Sequence, residues 1–192
     1  MAVPSPQSQK ESLRKQARSA RMTFVAGLEP GAKQALEQQL AAHLSDFIED
    51  ARVIGGYAAI GSEISPAAAL AVAADAGKTI AYPTFSGDDD EFRFRAGEPV
   101  VTGPHQISQP HGDAPLVTPD LILIPLVACG DGGVRLGQGK GHYDRVLAGL
   151  VDKGAKLVGI GWQMQRIDGP VPSEKWDIPV HAFCSPRACE EF

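Results

Sequence analysis

The residues whose types and spacing best suit chemistry lie in the stretch 120–145, which is rich in glycine and ends in charged side chains. Its segment 137–142 reads Gly-Gln-Gly-Lys-Gly-His. Glycines let backbone N–H groups approach an anion closely, and the start of a helix adds a partial positive charge. Lys140 and Arg145 add formal positive charge. The stretch therefore predicts a polyphosphate site.

Neither of the two common phosphate-binding fingerprints matches this stretch. A P-loop would need glycine in place of Val134 and serine or threonine in place of Gly141, and the dinucleotide fingerprint would need glycine in place of His142. A Gly-x-Gly-x-Gly run alone is weak evidence, and a flexible turn is the alternative. The longer pattern from Arg135 to Asp144, Arg-Leu-Gly-x-Gly-x-Gly-x-Tyr-Asp, is far more specific.

The elements expected around this stretch are those of an α/β protein. Residues 121–127 form an apolar run interrupted by Pro125, which is typical of a strand buried on both faces of a parallel sheet. Its carboxyl end should point at the phosphate site. Further strands are predicted at 53–57, 79–82, 92–95 and 157–161, and helices at 66–76 and 142–152. This order predicts a single Rossmann-like α/β domain with three layers, α/β/α, around a mostly parallel sheet.

Composition limits the function classes. The chain has 192 residues, of which 43% are hydrophobic, and a net charge of −5. The acidic balance argues against a nucleic-acid partner, which would need a broad basic surface. The three cysteines show neither a zinc spacing nor an even disulfide set, which favours a reduced cytoplasm. No stretch approaches the ~18 continuous apolar residues of a membrane span. We therefore expect a cytoplasmic monomer that has no membrane partner.

Two segments outside the predicted sheet are expected to be irregular. Residues 1–9 are small and polar, so we expect them to be disordered and the single domain to span 10–192. Residues 102–119 carry four prolines and two glycines, and they are predicted to form a long extended loop. Loops of this length are uncommon unless they are functional.

Four cations near the N-terminus follow helical spacing. Lys10, Arg14, Arg18 and Arg21 are separated by four, four and three residues, which places them on one stripe of a helix. In an acidic protein, such a basic stripe is either a solvated face or one wall of an anion site. The spacing alone leaves both interpretations open.

Together these motifs resemble the 5-formyltetrahydrofolate cyclo-ligase family, ATP- and magnesium-dependent enzymes of folate metabolism. The segment 10–14, Lys-Glu-Ser-Leu-Arg, is similar to the family's N-terminal Lys/Arg-x-x-Leu-Arg motif, and the block 120–145 resembles its signature. The resemblance implies an ATP site, with Arg135 as a ligand or a brace of the loop. The implied ATP-binding residues are Lys10, Arg14, Arg135, Gly137, Gln138, Gly139, Lys140, Gly141, His142 and Tyr143.

The resemblance implies the remaining roles as well. Lys140 and Arg14 would be catalytic, balancing charge on the transferred group. In this family the formyl oxygen attacks the γ-phosphoryl group of ATP, the nitrogen at position ten closes the ring, and phosphate leaves to give the methenyl product. The implied contacts to the reduced formyl-folate are Ala58, Glu63 and Tyr143, and the implied Mg²⁺ ligands are Asp144 and Asp177.

The segment 174–181 departs from the family pattern. Trp176 stands where the family has histidine, and His181 stands where a second aspartate is expected. We expect Trp176 to pack along the ligand cleft and Asp177 to keep the metal role. The departures favour one alternative, a paralogue that binds nucleotide or folate without turnover. Another is a sugar-phosphate isomerase or acyl-CoA transferase of similar fold, although neither needs ATP, and a transferase would want a catalytic glutamate rather than a Lys/Arg-lined glycine loop.

Overall fold

The computed structural model describes residues 5–85, 92–139 and 141–192. The helices in these ranges are Pro6–Ala26 (α1), Ala32–His43 (α2), Ser45–Asp50 (α3), Ala67–Asp75 (α4) and His142–Val151 (α5), with short 3-10 turns at Pro104–Gln106, Asp131–Gly133 and Gln163–Gln165. The strands are Val53–Gly55 (β1), Thr79–Phe85 (β2), Phe92–Ala96 (β3), Val101–Thr102 (β4), Ser108–Gln109 (β5), Leu121–Pro125 (β6), Ala128–Cys129 (β7), Arg135–Leu136 (β8), Lys156–Ile160 (β9), Ala182–Cys184 (β10) and Cys189–Glu191 (β11).

A seven-stranded sheet forms the centre of the fold, in the order β11-β10-β9-β6-β1-β2-β3. The strands from β10 to β2 are parallel to one another, and the two edge strands, β11 and β3, are antiparallel to their neighbours. The prediction of a mostly parallel sheet in an α/β fold is therefore confirmed.

Strand β6 shows why its sequence is apolar throughout. Leu121 and Leu123 pack into one core with residues of α2, α3 and α4, whereas Ile122 and Ile124 pack into a second core with Leu147 of α5. Successive side chains of a strand point to opposite faces. Because helices cover both faces of the sheet, both sets of side chains must be apolar, and the predicted three-layer architecture is confirmed.

Helix α1 starts earlier than the sequence predicted. The Ser5 hydroxyl accepts a hydrogen bond from the Ser8 N–H at 3.3 Å, and Pro6 occupies the first turn, where its missing N–H costs nothing. Residues 6–9, which were expected to be disordered, are helical. The basic stripe therefore begins in the second turn of a helix that is already established.

One loop prediction needs correction. Within 102–119, β4 and β5 form a small hairpin, which the Gln109 side chain ties to the end of β2 by accepting from the Phe85 N–H at 3.1 Å. The glycine stretch after β6 is also divided. Gly130–Gly133 turns the β7–β8 hairpin, and only the loop 137–141 leads into α5.

The cysteines also differ from expectation. Cys184 and Cys189 face each other as directly paired residues of β10 and β11, and they form a disulfide. Cys129 is buried with a free thiol. The odd cysteine count did not indicate this disulfide, because the pairing depends on the register of two strands. Across the described ranges, no helix is long and apolar enough to cross a membrane.

Candidate functional site

A cavity of about 820 Å³ opens at the carboxyl ends of the central parallel strands. Pro125 ends β6, Tyr57 and Ala58 follow β1, and Phe85 ends β2, and all four residues line it. This edge is where doubly wound sheets hold ligands, because the loops that leave parallel strands meet there. The predicted residues that line the cavity are Lys10, Arg14, Ala58, Glu63, Arg135, Gly137, Gln138, Gly139, Gly141, His142, Tyr143, Asp144 and Asp177. Lys140 lies outside the described residues.

The basic stripe of α1 forms one wall of this cavity, since all four of its side chains line it. Arg14 donates from Nε to the carbonyl oxygen of Gly137 at 3.0 Å. Arg18 donates to Gln138 twice, to the carbonyl oxygen at 2.9 Å and to the side-chain Oε1 at 3.0 Å. The basic stripe is therefore a cavity wall that binds the glycine loop through hydrogen bonds. The alternative interpretation, a purely solvated helix face, is excluded.

The glycine loop has backbone angles that suit glycine. Gly139 and Gly141 have φ of +97° and +69°, in the region that side chains other than glycine rarely adopt. A Cβ added at Gly139 would lie 3.3 Å from the guanidinium carbon of Arg14. Gly141 directly precedes α5, so no N-cap side chain competes for the N–H groups of its first turn. The loop and helix start can thus present backbone N–H groups to an anion.

Arg135 lies beneath the loop and is largely buried, although it forms part of the cavity lining. Its Nη2 pairs with Oδ1 of Asp144, and its Nε donates to the carbonyl oxygen of Ile178 at 3.1 Å. Burial lowers the pKa of Arg135, and the charge of Asp144 opposes that shift. Of the two roles that the resemblance implied for Arg135, the contacts favour the brace, which joins α5 to the 174–181 segment.

Lys10 is also held by acidic partners. Its ammonium group donates to Asp177 at 2.7 Å and to Glu174 at 2.9 Å, and only 4% of the residue is exposed. Burial lowers the pKa of Lys10, but the hydrogen bonds to Asp177 and Glu174 outweigh it and hold the pKa above its ordinary value. Glu174 is a cavity residue to which the sequence analysis assigned no role. The two predicted metal ligands thus each have a cation as partner, Arg135 for Asp144 and Lys10 for Asp177.

Glu63 is a buried carboxylate at the other end of the basic stripe. Its Oε2 accepts from the Ile60 N–H at 3.0 Å, and its Oε1 accepts from the Gln138 side-chain amide at 3.1 Å. Arg21 approaches Oε1 to 3.9 Å. Gln138 therefore links Glu63 directly to the glycine loop.

Apolar and aromatic side chains complete the Glu63 end of the cavity, and sequence reasoning missed most of them. Tyr143 packs edge-on against Phe92 at 5.0 Å, and Phe85 lies 5.2 Å from the His142 ring. Burial raises the pKa of the Tyr143 hydroxyl, as does the charge of Glu63, so Tyr143 is unsuited to act as a base. The signal that could have found these residues is their position at the ends of strands. The additional lining residues are Tyr57, Pro83, Phe85, Phe92 and Ile107.

The two departures from the family pattern have different locations. Trp176 lines the cavity with 64% of its surface exposed. His181 directly precedes β10, beside the sheet, where its Nδ1 accepts from the Leu157 N–H at 2.9 Å, and it is not among the cavity residues. A carboxylate could accept the same hydrogen bond, so the change at position 181 concerns the fold and leaves the cavity unaltered. Cys129 is buried, and burial raises its pKa to about 12, which excludes an activated thiolate.

Comparisons with known proteins identify a family whose model matches most of this chain. The sequence profile described as the 5-formyltetrahydrofolate cyclo-ligase family matches residues 6–186. The 5-formyltetrahydrofolate cyclo-ligase of Haemophilus influenzae is 29% identical over 154 residues, which are 75% of this chain and 82% of that protein. The protein of the same name from Escherichia coli K12 is 28% identical over 175 residues, 86% of this chain and 96% of that one.

Two solved structures resemble the fold along nearly its whole length. A 5,10-methenyltetrahydrofolate synthetase from Mycoplasma pneumoniae superimposes with a TM-score of 0.69 at 25% identity, covering 92% of this chain and 98% of the other. The 5,10-methenyltetrahydrofolate synthetase of Aquifex aeolicus superimposes with a TM-score of 0.75 at 24% identity, covering 95% of this chain and 92% of the other.

Proposed function

The chain belongs to the 5-formyltetrahydrofolate cyclo-ligase family, and from this premise we propose that it converts 5-formyltetrahydrofolate to 5,10-methenyltetrahydrofolate with ATP as co-substrate. The observation that carries the proposal is that one cavity combines a glycine loop at a helix start, a wall of four cations and a buried carboxylate, Glu63. A folate and a polyphosphate can therefore meet in the same cavity.

The proposed ATP site is built from the loop 137–141, the first turn of α5 and the middle of the basic stripe. Phosphoryl transfer asks a protein mainly to position the reactants and to neutralise charge. Arg14 uses one N–H on Gly137, which leaves other guanidinium donors for phosphate oxygens. We assign Lys140 to the transferred group, on the strength of its place between Gly139 and Gly141 in the sequence.

The donor chemistry of the cavity fits Mg²⁺ bound together with ATP. Asp144 and Asp177 both line the cavity, and the charges of both oppose the lowering of the Arg135 pKa by burial. Within the described ranges, no group of three or more His, Cys, Asp and Glu could form an all-protein metal cage. Mg²⁺ usually takes one or two carboxylates beside phosphate oxygens and water, and when bound it would neutralise charge on the phosphates. We therefore propose Asp144 and Asp177 as its protein ligands.

The reaction proceeds in two steps. The oxygen of the N5-formyl group forms a bond to the γ-phosphorus of ATP. The bond from that phosphorus to the oxygen that bridges it to the β-phosphorus breaks, and ADP leaves. N10 then attacks the activated formyl carbon and loses its proton. The carbon–oxygen bond breaks, and inorganic phosphate leaves with the bonding electrons. The protein's part is to hold N10, the formyl group and the γ-phosphate in line.

The Glu63 end of the cavity is the proposed folate site. Glu63 can accept hydrogen bonds from the N–H groups of a reduced pterin, because it is a buried carboxylate. Ala58 and Tyr143 offer apolar surface beside it. Gln138 joins Glu63 to the phosphate loop, so the position of the folate is linked to that of the γ-phosphate through one side chain.

Incubation with 5-formyltetrahydrofolate, ATP and Mg²⁺ tests the proposal, with the near-ultraviolet absorbance of the methenyl product followed over time. We expect one ADP and one phosphate for each methenyl product, and no reaction without ATP. Normal ATP binding without product would instead support the binding paralogue.

We also propose that the enzyme works as a monomer in the cytoplasm. Light scattering during gel filtration tests the oligomeric state. Cell fractionation followed by immunoblotting tests the location. Recovery of the protein outside the cytoplasmic fraction would contradict it.

A further inference from the structure

The indole of Trp176 is a large apolar surface that faces ligand space without being covered by the protein. It is 64% exposed, while the other tryptophan, Trp162, is 1% exposed and packed in the core. Trp176 belongs to a segment that is held on both sides of it. Lys10 pairs with Glu174 and Asp177, and the Asp177 carboxylate accepts from the Glu174 N–H at 2.8 Å. The Trp176 ring is therefore carried by a turn that these ion pairs and this hydrogen bond hold in place.

Helix α1 orders the contents of the cavity along its length. At its N-terminal end Lys10 contacts the 174–177 segment, and one turn later Arg14 contacts Gly137. At the far end of the stripe Arg21 approaches Glu63. With a rise of ~1.5 Å per residue, Lys10 and Arg21 are about 16 Å apart along the helix. The phosphate loop therefore lies between the Trp176 end and the Glu63 end.

The strand order gives the same sequence of sites independently of α1. The 174–181 segment contacts the β7–β8 hairpin that follows β6, through the Val180 N–H to the carbonyl oxygen of Gly133 at 2.9 Å. Glu63 instead lies in the loop after β1, and the aromatic residues beside it come from β2 and β3, farther along the sheet. The two ends of the cavity are thus on opposite sides of the phosphate loop.

This arrangement decides which organic group reaches Trp176, given the proposed function on which this inference rests. The γ-phosphate must face the folate, so the rest of the nucleotide must extend from the loop away from Glu63. We propose that Trp176 stacks on the base of the bound nucleotide and thereby contributes to nucleotide affinity. Stacking uses the ring face and needs no particular hydrogen bond. Trp176 should therefore strengthen the binding of nucleotides that carry a purine base, and it should not affect the binding of inorganic polyphosphate.

Binding of two probes to Trp176→Ala and Trp176→Phe tests the proposal by calorimetry. We expect Trp176→Ala to bind Mg-ATP roughly tenfold more weakly and Mg-tripolyphosphate unchanged, because only ATP has a base to stack. Trp176→Phe should keep most of the affinity for Mg-ATP. Lys175→Ala is the matched control, since Lys175 is exposed in the same segment and is not among the cavity residues.

Tryptophan fluorescence gives a second readout in the wild-type protein. Trp176 and the buried Trp162 are the two tryptophans of the chain. We expect Mg-ATP to quench the emission of the exposed indole and Mg-tripolyphosphate to leave it unchanged. In Trp176→Phe the quenching should disappear although Mg-ATP still binds.

The outcomes separate this inference from the proposed function. Unchanged Mg-ATP affinity in Trp176→Ala would overturn the inference alone, as would an equal loss for Mg-ATP and Mg-tripolyphosphate. Loss of 5-formyltetrahydrofolate affinity with normal Mg-ATP affinity would place the folate against Trp176 and overturn it too. Absence of Mg-ATP binding by the wild type would overturn the proposed function together with the inference.

Discussion

The cavity has two walls of different origin. One is the loop and helix start at 137–144, a continuous stretch whose conformation depends on its own glycines. The other is the basic stripe of α1, whose contacts to that stretch join residues more than a hundred positions apart, such as Arg14 and Gly137. The first wall can present an anion site by itself. The second supplies charge and also holds the first in place, so the site depends on tertiary contacts even where its motif is local.

The largest effect is expected in the loop wall. Lys140→Ala should reduce turnover by about 100- to 1000-fold with little change in folate affinity, because one preorganised charge at the transferred group lowers the barrier by ~3–4 kcal/mol. Steady-state kinetics and folate titration measure the two quantities. Lys153→Ala, just beyond the far end of α5, is the control. Turnover near that of the wild type would place Lys140 outside the site.

The buried pair behind the loop wall should matter for stability. Asp144→Asn leaves the buried guanidinium of Arg135 without its counter-charge, and we expect a loss of about 2–3 kcal/mol of unfolding free energy in urea. Asp177→Asn should cost less, because Lys10 keeps Glu174 as a partner. Both variants should need more Mg²⁺ for activity, and the effects should be strongly non-additive if one ion is shared. Equal losses of stability would show that the two pairs are equivalent.

A smaller effect is expected from the α1 wall. Arg14→Ala should weaken Mg-ATP binding about tenfold, and the loss should shrink at high salt because part of it is long-range attraction. Arg14→Lys keeps the charge but not the planar donor pattern, so its Mg-ATP affinity should lie between those of the wild type and Arg14→Ala. Isothermal titration calorimetry at two ionic strengths measures the Mg-ATP affinity of each variant and how that affinity depends on salt. If Arg14→Ala binds Mg-ATP as well as the wild type does, the α1 wall only braces the loop.

The smallest effect concerns the pH dependence of the Lys10 contacts. The pKa of Lys10 is raised in the folded state, so its stabilising contribution is complete below the unfolded value of ~10.4 and is lost as pH rises through the higher folded value. Lys10→Met should therefore be about 1 kcal/mol less stable than the wild type at pH 8. The difference in unfolding free energy should narrow above pH ~10.5. A constant difference up to pH 11 would mean that packing of the side chain, rather than its charge, is responsible.

Most of the fold was predictable because its signals are local. The apolar run of β6 reflects burial on both faces, and the four-residue spacing of Lys10, Arg14 and Arg18 reflects the helical turn. The local signals were weaker at the boundaries of elements. Ser5 and Pro6 begin α1, but the small polar residues around them are also typical of a disordered segment. The β4–β5 hairpin is stabilised by a contact to Phe85, which is distant in the sequence.

By itself, the sequence determined the α/β fold, the glycine loop and a cationic helix face, since each depends on spacing within one element. The tertiary structure alone decided that this face lines the cavity, that Arg135 is buried against Asp144, and that Cys184 pairs with Cys189. It also separated Trp176, in the cavity, from His181, which precedes β10 and bonds to β9 outside the cavity. The physical reason is that these contacts follow from the order and register of the strands, which bring together segments that share no local pattern.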